Sequence, residues 1–432
     1  MTEGKILVGI DVGTYKIVTV IAKVDEYVHV LGVSEIKSQG LRKGQIVDIE
    51  EAVHAINSSL EAAERMAGYS ASHIIANIGG SQIESMNSRG VVAVSSPSGE
   101  ISPDDLARVI DAAKAVSLPS TKEIIHVLPR NYTVDGQEGI KDPVGMAGVR
   151  LEVDTHIITA NSIAIRNLEK AFSEVGVDVD SFVFSGFASS QAVLSDTEKE
   201  LGVVLVDVGA GTTDISIFTE GSIAYSSVLA IGAKHITNDL AIGLRISLES
   251  AEKIKLYLSR VGEHAKKVVK PDGDEEKKTK TSDEIDLSEL DLPEELRKVS
   301  QKTLVDGIIR PRLNEIFTMV GLELKKSGFG GQTPAGIVIT GGGAHTVGIR
   351  DSAKRVLAMP VRIGGPQNLK GIIDEVNGPA YSAVIGLLLC GAETVEERKS
   401  PFGLHFPKLP GVGGKGGKMM KKFVDIIKSF IP

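Results

Sequence analysis

The chain has 432 residues, 42% of them apolar and 24% charged, the balance of a globular protein of roughly two to four domains. A single cysteine, Cys390, excludes an intramolecular disulfide and a thiolate metal cluster, and 4% aromatics with no tryptophan argue against a stacking platform for single-stranded nucleic acid. The net charge of −8 gives no overall attraction to phosphate backbones, so no nucleic-acid partner is expected; yet residues 399–432 carry a side-chain charge of +6 against −14 for residues 1–398.

The opening, MTEGKILVGID, carries Glu3 and runs into a strand pattern rather than a leader, so the body is expected in a reducing, cytoplasmic compartment. Residues 6–21, ILVGIDVGTYKIVTVI, predict two strands joined by a polar turn, and 27–36 predict a third. A helix is expected over 50–66, with Val53, Ile56, Leu60 and Ala63 on one face and Gly68 as its stop. Residues 81–159 break the rhythm. They hold strand material at 89–94, a helix at 103–116 capped by Ser102, and strands at 123–135 and 149–160, which together read as a small inserted α+β unit. A helix over 162–175 ends at Gly176.

Residues 203–218, VVLVDVGAGTTDISIF, repeat the opening pattern, and 221–231 again predict a third strand. Asp11 and Asp207 stand 196 residues apart, and two such three-strand meanders point to a duplicated domain with a cleft between the halves. Two unrelated hairpins sharing Asp-Val-Gly by chance is the alternative. A helix is expected over 238–259, and 266–284, charged in both signs, reads as a solvated excursion. In 336–345 a buried strand runs into three glycines, with a helix expected from Thr346; 376–392 is too polar for a membrane span and reads as a buried loop and helix. Six glycines and three prolines make 400–418 a flexible linker.

The two Asp-containing turns carry the chemistry. Gly and small hydroxyl residues let backbone N–H groups close on phosphate oxygens. Gly13, Thr14 and Tyr15 form one such turn; Gly209, Ala210, Gly211, Thr212 and Thr213 form the other. Asp11 and Asp207 each precede a turn, and two carboxylates facing a polyphosphate suit Mg²⁺, which keeps most of its waters. Gly341, Gly342 and Gly343 allow close backbone approach to a flat base or an α-phosphate. The tail KMMKKFVDIIKSFIP, turned at 100° per residue, gathers Met420, Phe423, Ile426, Ile427, Phe430 and Ile431 within an arc of roughly 160°, opposite its lysines. Tethered by a glycine-rich linker, that pattern suits an interfacial membrane helix; docking on the body or on a partner protein is the alternative.

The order of DVGTYK, DVGAGTTD, ITGGGAH and NGPAYSAVIGLLL resembles the actin-like ATPase superfamily. These match its first phosphate, second phosphate, adenosine and second connecting segments. Within it, NSRGVVAV (87–94), the stretch 126–160 and the basic C-terminal helix resemble the FtsA family of bacterial cell-division proteins. The resemblance implies an α/β fold: two actin-like (RNase-H-like) domains around a nucleotide cleft, with an inserted α+β subdomain and a C-terminal amphipathic helix. The first actin-like domain would take 1–80, 160–199 and 379–398, and the insert 81–159. The second would take 200–232 and 301–378, with a subdomain at 233–300, a linker at 399–418 and the membrane helix at 419–432.

The same resemblance implies ATP as cofactor, with Asp11 and Asp207 near Mg²⁺ through water and Gly13, Thr14, Tyr15, Gly209, Gly211, Thr212 and Thr213 holding phosphates. Gly341, Gly342 and Gly343 would lie at the adenosine side. Glu252 and Lys255 resemble the pair that grips the ribose, although read alone they are a surface i,i+3 ion pair. One departure is Ser185, at the position where hydrolytic members carry Gln or Glu to orient water; it predicts ATP binding with weak turnover, and no catalytic residue is named. The implied partners are the FtsZ C-terminal tail (on 233–300), further copies of the chain in filaments, anionic membrane lipid and other divisome proteins. The implied location is the cytoplasmic face of the membrane at the septum. A PilM-type pilus-assembly protein and a small-molecule kinase of the same fold are the alternative readings.

Overall fold

The computed structural model describes residues 4–267, 283–294, 296–372, 374 and 376–399. Most of the charged excursion at 266–284, and the linker and amphipathic helix expected beyond 399, lie outside the described residues. No helix among the described residues is long and apolar enough to cross a membrane.

The duplication is visible in the sheets. In the first lobe Lys5–Val12, Lys16–Val24 and Val28–Lys37 form an antiparallel meander. His73–Ile78 and Asp178–Phe184 extend it in parallel on one side, and Leu369–Gly371 joins the other edge. In the second lobe Val203–Val208, Thr213–Thr219 and Ser222–Leu229 form the same meander, extended in parallel by Ile337–Thr340 and Val361–Ile363. The hairpin registers correspond: Asp11 lies opposite Val18, and Asp207 opposite Asp214. Strands such as Val203–Val208 are buried along their whole length, as sheets covered on both faces require.

Helices form where the sequence supplies both a stripe and stops. Ile49–Ala67 is capped by the Asp48 side chain, buries Ile56 and Leu60, and ends at Gly68 in the left-handed region. Each such buried aliphatic side chain contributes about 1.5–3 kcal/mol. Ser162–Val175 ends at Gly176 as expected. The expected single helix over 238–259 is two, Ala233–Leu244 and Leu248–Lys267. The chain breaks at Arg245, which takes a left-handed φ of 56°. After the triple glycine the helix starts at Ile349 rather than Thr346, because Gly342–His345 first makes a 3₁₀ turn.

The insert is an α+β unit. Its sheet takes the order Glu84–Ala93, Arg150–Asn161, Lys122–Val134, Gln137–Ile140, covered by the helix Pro103–Lys114. It has its own core around Ile101, Val109, Leu151 and Val153. The strand Gln137–Ile140 is additional to those expected. Between the lobes, the helix Ser382–Lys399 packs on Ser185–Val193 so closely that a Cβ at Gly386 would lie 1.8 Å from the Ala188 carbonyl oxygen. One apolar core runs through both helices, joining Val18 and Val20 of the first lobe to Leu205 and Phe218 of the second.

Candidate functional site

Each hairpin closes its turn with the same backbone bond: Gly13 N donates to Lys16 O at 3.1 Å, and Gly209 N to Thr212 O at 2.9 Å. The turns face each other. A Cβ on Gly211 would lie 2.9 Å from Thr14 Oγ1, so the second turn approaches the first only because residue 211 has no side chain. Thr14 Oγ1 also accepts from Gly44 N at 2.9 Å, which fixes a small hairpin at 41–46 against the first turn. The second turn is buttressed by the helix Ala233–Leu244, where Ala233 N donates to Gly209 O and Lys234 N to Ala210 O, both at 2.9 Å. Gly341 lies against the same place. It takes a φ of 82°, and a Cβ there would stand 2.1 Å from Asp207 Oδ1, so only glycine fits.

Three carboxylates lie behind these turns, Asp207 and Asp214 buried and Asp11 half-buried. Asp11 accepts from Asn77 Nδ2 at 2.6 Å; burial and then the charge of Asp207 push its pKa up to about 7, against the pull of Lys16 and Asn77. Asp207 accepts from Ser189 Oγ, and burial pushes its pKa up to about 6. Asp214 is raised well above the usual carboxylate range by burial and by both other aspartates, and its Oδ1 is buried without a hydrogen-bond partner. Carboxyls so arranged favour a proton or a cation over the bare charged state. Among the described residues no three His, Cys, Asp or Glu side chains converge to ligate an ion directly. Carboxylate oxygens, one of them buried without a partner at Asp214, are donors that would suit a hydrated Mg²⁺ held through its waters.

Glu252 and Lys255 are no surface pair. Lys255 is buried, and its Nζ donates to Glu252 Oε2 at 2.7 Å and to Thr237 Oγ1 at 2.9 Å, while Thr237 Oγ1 donates to Glu252. Tyr15, on the opposite turn, is near enough for Glu252 to help raise its phenol pKa, after burial. Asp11, Thr14, Tyr15, Asp207, Gly209, Gly211, Glu252, Lys255 and Gly341 thus gather where the two turns face each other.

Two of the expected phosphate and adenosine residues also serve the frame. The Thr213 hydroxyl is fully buried and donates to Ile231 O at 2.8 Å, and Gly343 is packed against Val208. Ser185 is buried at the first connecting segment, accepting from Asn77 Nδ2 at 3.2 Å and donating to Ile78 O at 3.4 Å. Sequence reasoning passed over Asp214, Asn77, Ser189 and Thr237. Asp214 is the last residue of DVGAGTTD, and Asn77 is the one polar residue of the segment IIANI.

A duplicated sheet, two facing glycine turns and buried carboxylates between them define a nucleotide-binding protein of the actin-like superfamily. Solved structures agree on the fold: a PilM–PilN type IV pilus biogenesis complex (TM-score 0.62, 14% identity, covering 90% of this chain and 98% of that one) and MreB5 of Spiroplasma citri bound to ADP (TM-score 0.52, 14% identity, covering 91% and 98%). A family model for the SHS2 domain inserted in FtsA matches residues 80–159, and one for cell division protein FtsA matches 204–386. Cell division protein FtsA of Pseudomonas aeruginosa is 40% identical over 394 residues, 90% of each chain. That of Borreliella burgdorferi is 38% identical over 391, 89% of this chain and 90% of the relative, and that of Escherichia coli K12 is 34% identical over 402, 91% and 92%. The chain belongs to the FtsA family of cell-division proteins.

Proposed function

We propose that this protein binds ATP with Mg²⁺ in the cleft, assembles into filaments through its insert, and tethers FtsZ filaments to the cytoplasmic face of the cell membrane at the septum. The observation that carries the nucleotide reading is the pair of turns facing each other at Gly211 and Thr14, with the half-buried Asp11 and the buried Asp207 and Asp214 behind them. Backbone N–H groups of the turns hold phosphates, and the carboxylates hold the hydrated ion, which supplies counter-charge for the polyphosphate when bound. Glu252 and Lys255 take the ribose side and Gly341 and Gly342 the adenosine side.

Turnover is weak in this reading, because Ser185 is short, buried and already hydrogen-bonded to Asn77 and Ile78. The FtsZ C-terminal tail binds on 233–300, other divisome proteins join the assembly, and the boundaries given above divide the chain. The amphipathic pattern over 419–432, opposite its lysines, supports the membrane contact with anionic lipid. One short helix binds weakly, and a filament presents many at high effective concentration, so assembly and membrane binding rise together.

Calorimetric titration of ATP with and without Mg²⁺ tests the cleft. Asp207→Ala should lose most of the Mg²⁺-dependent gain in affinity, and steady-state turnover of the parent should stay below about 1 per second, the low end for enzymes. Unchanged Mg²⁺-ATP affinity in the variant would remove Asp207 from the site.

A further inference from the structure

The insert is rooted in the first lobe and bonded to the second. Its strand Arg150–Asn161 starts among the insert's core residues Leu151 and Val153 and ends in the first lobe's core with Ile158 and Ala160. Between the two cores the pairing with Lys122–Val134 slips at Asp154/Thr155 and again at Ile158/Thr159, irregularities at which a strand bends. His156 lies between the two slips.

On the other side, the insert covers the edge strand Ser222–Leu229 of the second lobe with side chains in place of a neighbouring strand. Ser85 Oγ accepts from Ser226 N at 3.2 Å and donates to Ser226 O at 2.6 Å. Asn87 Nδ2 donates to Ala224 O at 3.2 Å, which turns its Oδ1 toward His156 Nδ1 at 2.7 Å. His156 therefore carries its proton on Nδ1, and Nε2 accepts from Ser226 Oγ at 3.0 Å. Burial, with the charges of Arg130 and His126, pushes the ring down to about 3, so it bridges as a neutral group. A second set of bonds lies at the hairpin end, where Asn131 Nδ2 donates to Glu220 Oε2 at 2.9 Å and Ser222 Oγ to Arg130 O at 3.2 Å.

Hydrogen bonds join this contact beside apolar packing, of Leu128 on the core that holds Phe218 and Ile223 and of Val228 on the core that holds Ile158, and polar contacts between units permit relative movement. Because the insert is anchored in the first lobe, any change in the distance between the lobes falls on the bonds to Ser222–Leu229. We propose that the insert is an inter-lobe strap: Ser85, Asn87 and His156 hold the second lobe's edge strand, so that cleft closure around nucleotide and seating of the insert are one equilibrium. The proposal rests on nucleotide occupying the cleft, and it adds a route from that cleft to the unit assigned to filament contact. Linkage makes the effect reciprocal: whatever loosens the strap must weaken the ligand that closes the cleft.

Hydrogen exchange and ATP titration on the full-length protein test it, without lipid and at concentrations below assembly. In the parent, ATP–Mg²⁺ should slow amide exchange along 222–229. Ser85→Ala with Asn87→Ala should speed exchange there and weaken ATP binding at least five-fold, while amides around Leu151 and Val153 keep their protection. Asn131→Ala, at the far end of the strap, should weaken ATP binding about two-fold, and it decides the matter if the double variant loses the insert's own core. A parent that binds ATP with no change at 222–229 overturns the strap, as does unchanged exchange there in the variants or affinity within error of the parent. A parent that does not bind ATP overturns the cleft reading itself.

Discussion

In the first lobe the residue opposite Asp11 across the hairpin is Val18; in the second lobe the residue opposite Asp207 is Asp214, in the corresponding register. The backbones repeat down to the bond that closes each turn, yet the charge does not. Asp11 has Asn77 and Lys16 to relieve it, whereas Asp214 keeps a buried oxygen with no partner. Duplication therefore preserves the sheet geometry, which register and burial on both faces hold in place, while a single cross-strand position adds a buried, unpartnered carboxyl to the second lobe. That lobe also carries Gly341 and the Lys255–Glu252–Thr237 cluster, so most of what would meet a nucleotide lies there.

The strongest test of this asymmetry is steric. Gly341→Ala puts a Cβ 2.1 Å from Asp207 Oδ1 at a φ of 82°, and ATP affinity should fall beyond a hundred-fold by calorimetry. Next comes Asp214→Val, which gives the second hairpin the composition of the first. It should weaken Mg²⁺-dependent ATP binding about ten-fold and raise the thermal midpoint without nucleotide, since removing a buried carboxyl with an unsatisfied oxygen is stabilising.

The same variant should change the pH dependence. Asp11 and Asp207 stay protonated up to about 7 and about 6 in the folded chain, against an ordinary 3.8. Between about pH 4 and 7 the folded chain then binds more protons than the unfolded one, and stability without nucleotide falls as pH rises through that window. Thermal scans across the window should show a shallower fall for Asp214→Val, which lacks one of the three raised carboxyls. A more modest change is expected from Lys255→Met. It leaves Glu252 with Thr237 alone and should cost about 1–3 kcal/mol of stability, read by denaturant titration.

Much of this was legible because the signals are local. Asp-Val-Gly at the end of an apolar strand occurs twice, and stop residues such as Gly68 and Gly176 mark helix ends that the structure places where expected. What escaped depends on distant partners. Asn77 acquires its meaning from Asp11, 66 residues earlier, and Ser185, 108 later. The break between Ala233–Leu244 and Leu248–Lys267 falls at Arg245, a residue with no intrinsic preference for positive φ, so nothing in the local sequence announces it. Thr213 looks like its neighbour Thr212 in the motif, but Thr212 closes the turn while Thr213 opens the buried strand and bonds its hydroxyl to Ile231 O. Until the second lobe is brought beside them, His156 reads as an ordinary strand residue, and Ser85 and Asn87 precede the strand expected at 89–94.

In the proposed function, nucleotide in the cleft governs assembly, and assembly multiplies a weak membrane contact. Co-sedimentation of the full-length protein with anionic vesicles, with and without ATP–Mg²⁺, reads both links at once. The parent should pellet steeply with ATP–Mg²⁺ and little without it. Phe423→Glu with Ile427→Glu, which places charge among the apolar residues of the 419–432 sequence, should stay in the supernatant with its ATP affinity unchanged. Pelleting of the double variant would mean that 419–432 is not the membrane contact, and tight vesicle binding by the parent without nucleotide and assembly would break the link between cleft and membrane.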